Sequence, residues 1–252
     1  MEYASMTFWL LVIVFCALGV HRLWTSLVQP KIVNSVLLPG TLVAQLGHIL
    51  GLLVTGGTVN NTSLIKDDDS GAPQTSPEAQ TRVPVFGAII TALLPLVGCA
   101  AAIYWVAQYF GTRTPILSSM EQIPPAQMAL PTSMTHFFDL LRMAITLVQR
   151  FVDVVMSSDY GDWRTWLFLY LVVCLTVRMA PLTGNLRGSI GAIFITGLLA
   201  FLVGQITQSS AGLFTSAWPL IIFSSAVLLF LLMVSLLVRG MVTLIQTVQG
   251  QG

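Results

Sequence analysis

The chain reads as long apolar runs separated by short polar breaks. Residues 6–24 form the first run, close to the roughly 20 residues an α-helix needs to cross a hydrocarbon core about 30 Å thick. Runs at 34–54, 84–108, 165–180, 188–208 and 216–238 repeat the pattern. We therefore expect one all-α domain over residues 1–252, a polytopic transmembrane bundle of six spans. Trp163, Trp166 and Trp218 fall at span ends, where amphipathic rings anchor a helix at the membrane surface.

Residues 134–156 differ in kind. Phe137, Leu140, Leu141, Ile145, Leu147, Phe151 and Val154 recur at helical spacing, but Asp139, Arg142, Arg150 and Asp153 interrupt them. Each acid lies three residues from an arginine, so each pair can close on a helix surface. The pattern predicts an amphipathic helix that either lies on the membrane or crosses it as a seventh span. With Arg22 and Lys31 in the cytoplasm, a crossing also places Arg113, Arg178, Arg187 and Arg239 there, as the bias of basic residues favours. Burying its charges opposes a crossing by roughly 3 kcal/mol each. Residues 55–83 break the apolar pattern with Gly56-Gly57, Lys66 and Asp67-Asp68-Asp69, and predict a solvated loop. Asn60-Asn61-Thr62 and Asn61-Thr62-Ser63 in that loop fit the glycosylation sequon, which matters only in a secretory pathway.

Composition agrees with this reading. Of 252 residues, 55% are hydrophobic and 8% charged, against about a quarter charged in soluble domains. Mean hydropathy is +0.84. A net charge of +1 without a basic patch argues against nucleic acid as a partner. Glu2, not a basic cluster, precedes the first run, so a retained helix is expected rather than a cleaved leader. Cys16, Cys99 and Cys174 sit in separate runs without metal-site spacing and read as free thiols.

Candidate chemistry centres on residues 37–57, an apolar run opened by Pro39-Gly40, closed by Gly56-Gly57 and holding His48. A zinc protease of the H-E-x-x-H type needs two histidines one helical turn apart and a glutamate base. The corresponding window here is Ala44-Gln45-Leu46-Gly47-His48. Alanine cannot bind a metal, and glutamine cannot take a proton from water at neutral pH.

The surroundings resemble the peptidase-M50B-like branch of the site-2-protease family of intramembrane zinc metalloproteases. The resemblance is carried by Leu38-Pro39-Gly40-Thr41 before the window and Leu52-Leu53-Val54-Thr55-Gly56-Gly57-Thr58-Val59 after it. Two later stretches, residues 162–171 and Met179-Ala180-Pro181, resemble the helix that presents the family's aspartate ligand. The turn carrying that ligand is similar to Leu182-Thr183-Gly184-Asn185, which implies Asn185 at the aspartate position. The resemblance thus implies the family's fold without its zinc, since one imidazole falls short of the three protein ligands a catalytic zinc uses. His21 and His136 are the remaining histidines and stand at span edges.

A simpler reading of His48 is a bond to a hydroxyl or carbonyl of a neighbouring helix, because buried polar groups are normally paired. Gly47 and Gly51 form a G-x-x-x-G that permits close helix approach, and Gly188, Gly191, Gly197 and Gly204 mark a similar packing face. No cofactor is expected, zinc included, although one axial histidine at position 48 suffices for a tetrapyrrole. The expected function is a catalytically inactive, site-2-protease-like subunit of a bacterial-type cytoplasmic (inner) membrane. Its partners would be lipid and either other transmembrane subunits or a client transmembrane helix. The alternatives are a divergent intramembrane zinc metalloprotease using His48, and a small transporter or channel built around helices broken at Pro39-Gly40 and Gly56-Gly57.

Overall fold

A computed structural model describes residues 2–56, 62–63, 74–75, 84–110, 134–179 and 211–249, with Gly191, Ile193, Phe194 and Gly197 beside them. Among these residues the chain forms seven helices: α1 (Glu2–Leu27), α2 (Pro30–Val36), α3 (Leu38–Val54), α4 (Pro84–Phe110), α5 (Met134–Met156), α6 (Trp163–Val177) and α7 (Ala211–Val248). The only extended pairing among them is a two-residue antiparallel ladder, β1 (Thr62–Ser63) with β2 (Gln74–Thr75), in which Thr62 faces Thr75. The helical class expected from the apolar runs is the class observed.

The span count is corrected. Among the described residues three helical segments are long and apolar enough to cross a membrane: Ser5–Leu27, Ile89–Phe110 and Trp218–Val248. Counting a bent pair as one span makes four. The expected span 34–54 is not one helix, because α2 and α3 meet at a 78° bend at Leu37. Pro39 explains the break. Its ring would strike the carbonyl four residues back, at Ser35, and it has no N–H to donate there. In the first turn of a new helix neither defect costs anything. Gly56, with φ of 71°, follows the last turn of α3 and sends its N–H to the Leu53 carbonyl at 3.2 Å, a left-handed stop suited to glycine.

The expected span 165–180 is also shorter than it reads. Helix α6 has 15 residues, about 22 Å at 1.5 Å per residue, and ends before Arg178. It starts at Asp162, whose carboxylate accepts from Arg164 N at 3.0 Å and caps the first turn. The exposed rings of Trp163 and Trp166 stand beside this cap. Trp218, by contrast, is buried and packs in the core rather than at a surface. The expected run 188–208 lies outside the described residues but for the four named above.

Helices α1 and α7 run parallel. Gly19 lies against Leu232, Trp24 donates to Ser235 Oγ at 2.8 Å and Arg239 to Ser26 Oγ at 2.7 Å, so partner numbers rise together. Helices α3 and α4 are antiparallel, pairing Val43 with Gly98, Gly47 with Leu94 and Pro95, and Gly51 with Thr91. Phe151 of α5 packs between Phe223 and Phe230 of α7, at centroid distances of 6.5 and 5.3 Å, and Leu147, Phe151 and Val154 form its buried stripe. Trp9, Ile13, Leu37, Ala44, Ile103 and Phe168 join the same core.

The parallel pair constrains topology. Two parallel helices that both cross need an odd number of crossings between them, which a six-span scheme beginning at α1 and ending at α7 cannot supply. Reporters fused before residue 2 and after residue 249 are therefore expected on opposite faces of the membrane. Finding both on one face would show that α1 and α7 do not cross in the same direction.

Candidate functional site

The window at residues 44–48 lies in α3, with Gly47 on the face that packs against α4. Ala44 and Gln45 are both buried, and a Cβ on Gly47 would come within 2.8–2.9 Å of Leu94 O, Pro95 Cα and Pro95 N. One turn on, a Cβ on Gly51 would come within 2.9 Å of Thr91 Cα. Here the two backbones touch, as small residues in membrane helices allow.

His48 sits between these two glycines, and its Nδ1 lies 3.3 Å from the Thr91 carbonyl. Pro95 supplies the reason for that bond. It stands four residues after Thr91 inside α4 and has no N–H, so the Thr91 carbonyl loses its helical donor. In hydrocarbon an unpaired carbonyl is costly, and neighbouring helices re-satisfy the groups that a proline frees. With its proton on Nδ1, His48 donates to that carbonyl. The Thr91 hydroxyl donates in turn to Gly87 O at 2.8 Å.

This assignment yields a double-mutant prediction. His48→Ala should cost about 1 kcal/mol of folding stability, as expected for one interhelical bond. In a Pro95→Ala background, where residue 95 regains its N–H, the same change should cost close to nothing. Reversible unfolding in detergent measures both, and equal costs in the two backgrounds would separate His48 from the proline.

Among the described residues no three His, Cys, Asp or Glu side chains lie together as a metal would need. Asn185, Gly188 and Gly204 lie outside the described residues. Of the other two glycines singled out, Gly197 faces α1, where a Cβ would collide with the Thr7 side chain, and Gly191 has nothing within 4 Å of such an atom.

A second polar cluster was not singled out from the sequence. Asn34 of α2 accepts at Oδ1 from Arg178 Nη2, at 2.6 Å, and His21 Nε2 of α1 lies 3.3 Å from the same oxygen. Arg178 is only 5% exposed and Asn34 6%. The guanidinium Nε has no hydrogen-bond partner, and no carboxylate pairs with Arg178 among the described residues. The Arg178 backbone closes α6, its N–H going to Cys174 O at 3.2 Å while its carbonyl accepts from Cys99 Sγ at 3.9 Å. Gly40 of α3 packs on the Cys174 carbonyl and on Arg178 Cγ.

The α2–α3 bend determines the neighbours of this cluster. In a continuous helix the Val36 carbonyl would accept from residue 40. At the break it accepts instead from Tyr170 OH at 2.8 Å and Cys174 Sγ at 3.4 Å. Helix α6 therefore seals the bend with donors and delivers Arg178 to Asn34. The readable signals were Pro39, which frees carbonyls upstream, and two strongly polar side chains, Asn34 and Arg178, inside apolar runs.

No family model, curated protein or solved structure matches the chain.

Proposed function

We propose that the chain is a non-catalytic integral membrane protein with a site-2-protease-like helix frame, acting as a binding or structural subunit of a larger membrane complex. Other transmembrane subunits or a client transmembrane helix would be its partners. The observation that carries this reading is the bond from His48 to the carbonyl freed by Pro95. The one histidine in the degenerate window has a structural task there. Ala44 and Gln45 beside it are buried against protein, which suits packing rather than water activation.

The test is the particle extracted in mild detergent, sized natively and weighed by mass spectrometry, with metal analysis on the same sample. A large particle of fixed composition with no stoichiometric zinc is expected. One zinc per chain, lost in His48→Ala, would overturn the reading in favour of a divergent metalloprotease. A free monomer would remove the support for a complex.

A second reading, a small transporter or channel, is favoured by Arg178. A buried guanidinium held by a neutral asparagine beside a broken helix pair resembles the sites transporters build from interrupted helices. Anion flux in proteoliposomes, abolished by Arg178→Met, would establish it; absence of flux in the purified chain would end it.

A further inference from the structure

Where α1, α2 and α7 meet, a groove of about 410 Å³ opens between Trp24 and Leu27 of α1, Ile32 and Val36 of α2, and Val234 and Val238 of α7. Its lining is hydrocarbon and indole apart from Ser235. That hydroxyl is already engaged, accepting from the Trp24 indole and donating to Leu231 O at 2.6 Å. The groove thus offers little to a sugar or a peptide and suits an alkyl chain.

The charged residues next to its lining residues in the chain are of one sign. Arg239 follows Val238, Lys31 precedes Ile32, and Arg22 lies one helical turn before Ser26, whose hydroxyl accepts from Arg239 Nη1 at 2.7 Å. All three cations are exposed, and none pairs with a carboxylate among the described residues. The Trp24 ring stands at the same level, where amphipathic aromatic groups meet the headgroup region. An apolar slot whose lining residues Ile32 and Val238 adjoin exposed Lys31 and Arg239 in the chain, with exposed Arg22 one turn from the Ser26 that holds Arg239, is complementary to an amphiphile with a hydrocarbon tail and an anionic head. Basic pockets between membrane helices recognise acidic lipids in this way.

We infer that this groove is a binding site for one acidic phospholipid, its acyl chain lying against Trp24, Ile32 and Val238 and its phosphate among Arg22, Lys31 and Arg239. A second copy of the chain is a poorer occupant. The exposed part of α7 beyond Ser235 carries Arg239 and no carboxylate, so it would bring like charge to the three cations. The inference is independent of whether the chain acts as a complex subunit or a transporter.

The test uses the full-length chain purified in mild detergent and titrated with equimolar phosphatidylglycerol and phosphatidylcholine of matched acyl chains, read by native mass spectrometry. One retained phosphatidylglycerol per chain is expected, preferred at least about tenfold, since each surface cation adds to the attraction for an acidic lipid. Arg22→Gln, Lys31→Gln and Arg239→Gln together should abolish the preference. Ile32→Trp with Val238→Trp fills the groove, keeps every charge, and should also release the lipid. Circular dichroism on each variant separates loss of the site from loss of the fold. Equal retention of the two lipids would overturn the inference. So would persistence of the preference in the groove-filled variant, which would reduce the effect to diffuse surface charge, or dimerisation in place of lipid binding.

Discussion

Asn34→Leu is expected to destabilise the folded chain by about 3 kcal/mol, the upper end for losing a buried hydrogen bond to a charged group. The side chain lost is the hydrogen-bond acceptor of the buried Arg178 guanidinium, whose Nε already lacks a partner. Leucine has the same number of side-chain heavy atoms with the same branching, so the change bears on hydrogen bonding more than on shape. His21 would lose its contact with Asn34 as well. Arg178→Met should cost less, because it removes the charge itself and leaves Asn34 Oδ1 beside His21. The double variant, Asn34→Leu with Arg178→Met, should be more stable than Asn34→Leu alone. Replacing both members of a buried polar pair with apolar groups is often close to neutral, whereas orphaning one member is not. Reversible unfolding of all three variants in one detergent gives the cycle. Strictly additive costs would mean that Arg178 does not depend on Asn34 for its place in the core.

How much of this was legible in the sequence depends on the distance over which each feature is decided. The helical class follows from run lengths alone, because hydrocarbon requires backbone groups to be satisfied within a segment. The amphipathic pattern of 134–156 was only partly decisive for α5: Leu147, Phe151 and Val154 of that pattern turn inward, whereas Phe137, Leu141 and Ile145 stay exposed. Pro39 is visible too. Near the start of the run 34–54 it is tolerated as a first-turn residue of α3. The cost is that residues 34–36 cannot belong to the same helix.

For His48 a bond to a neighbouring helix was readable, but the partners in the two polar contacts were not, for a common reason. His48 and Thr91 are 43 residues apart, and Asn34 and Arg178 are 144 apart, so each bond depends on the register of helices that composition does not set. Pro95 nonetheless identifies Thr91 as a carbonyl in need of a donor. Searching apolar runs for internal prolines, and then for an unexplained His, Asn or Arg elsewhere, would have ranked His48 as that donor. Span counting failed where length and depth part company. Helix α6 is an apolar run from Trp166 to Leu175, yet at 15 residues it ends just before a buried arginine, Arg178.

Gly47→Ala is expected to destabilise the chain by about 2 kcal/mol, within the range for forcing a methyl group into a packed core, and Gly47→Leu by considerably more. In an isolated helix the first change would help, since alanine exceeds glycine in helix propensity by about 1 kcal/mol. Here the added carbon meets backbone at Leu94 and Pro95 on three sides, at 2.8–2.9 Å, and backbone atoms cannot rotate away as a side-chain tip can. Helices α3 and α4 would have to separate, which would lengthen the 3.3 Å contact from His48 to Thr91 O as well. The effect should therefore couple to His48: Gly47→Ala and His48→Ala together should cost less than the sum of the two. Gly240 provides the control. It lies in the exposed part of α7 with nothing within 4 Å of a Cβ, and Gly240→Ala should raise stability by roughly 0.5–1 kcal/mol. Opposite signs at the two positions would locate the close approach of α3 and α4 at Gly47. A gain at both would mean that the α3–α4 backbones leave room for a methyl group at position 47.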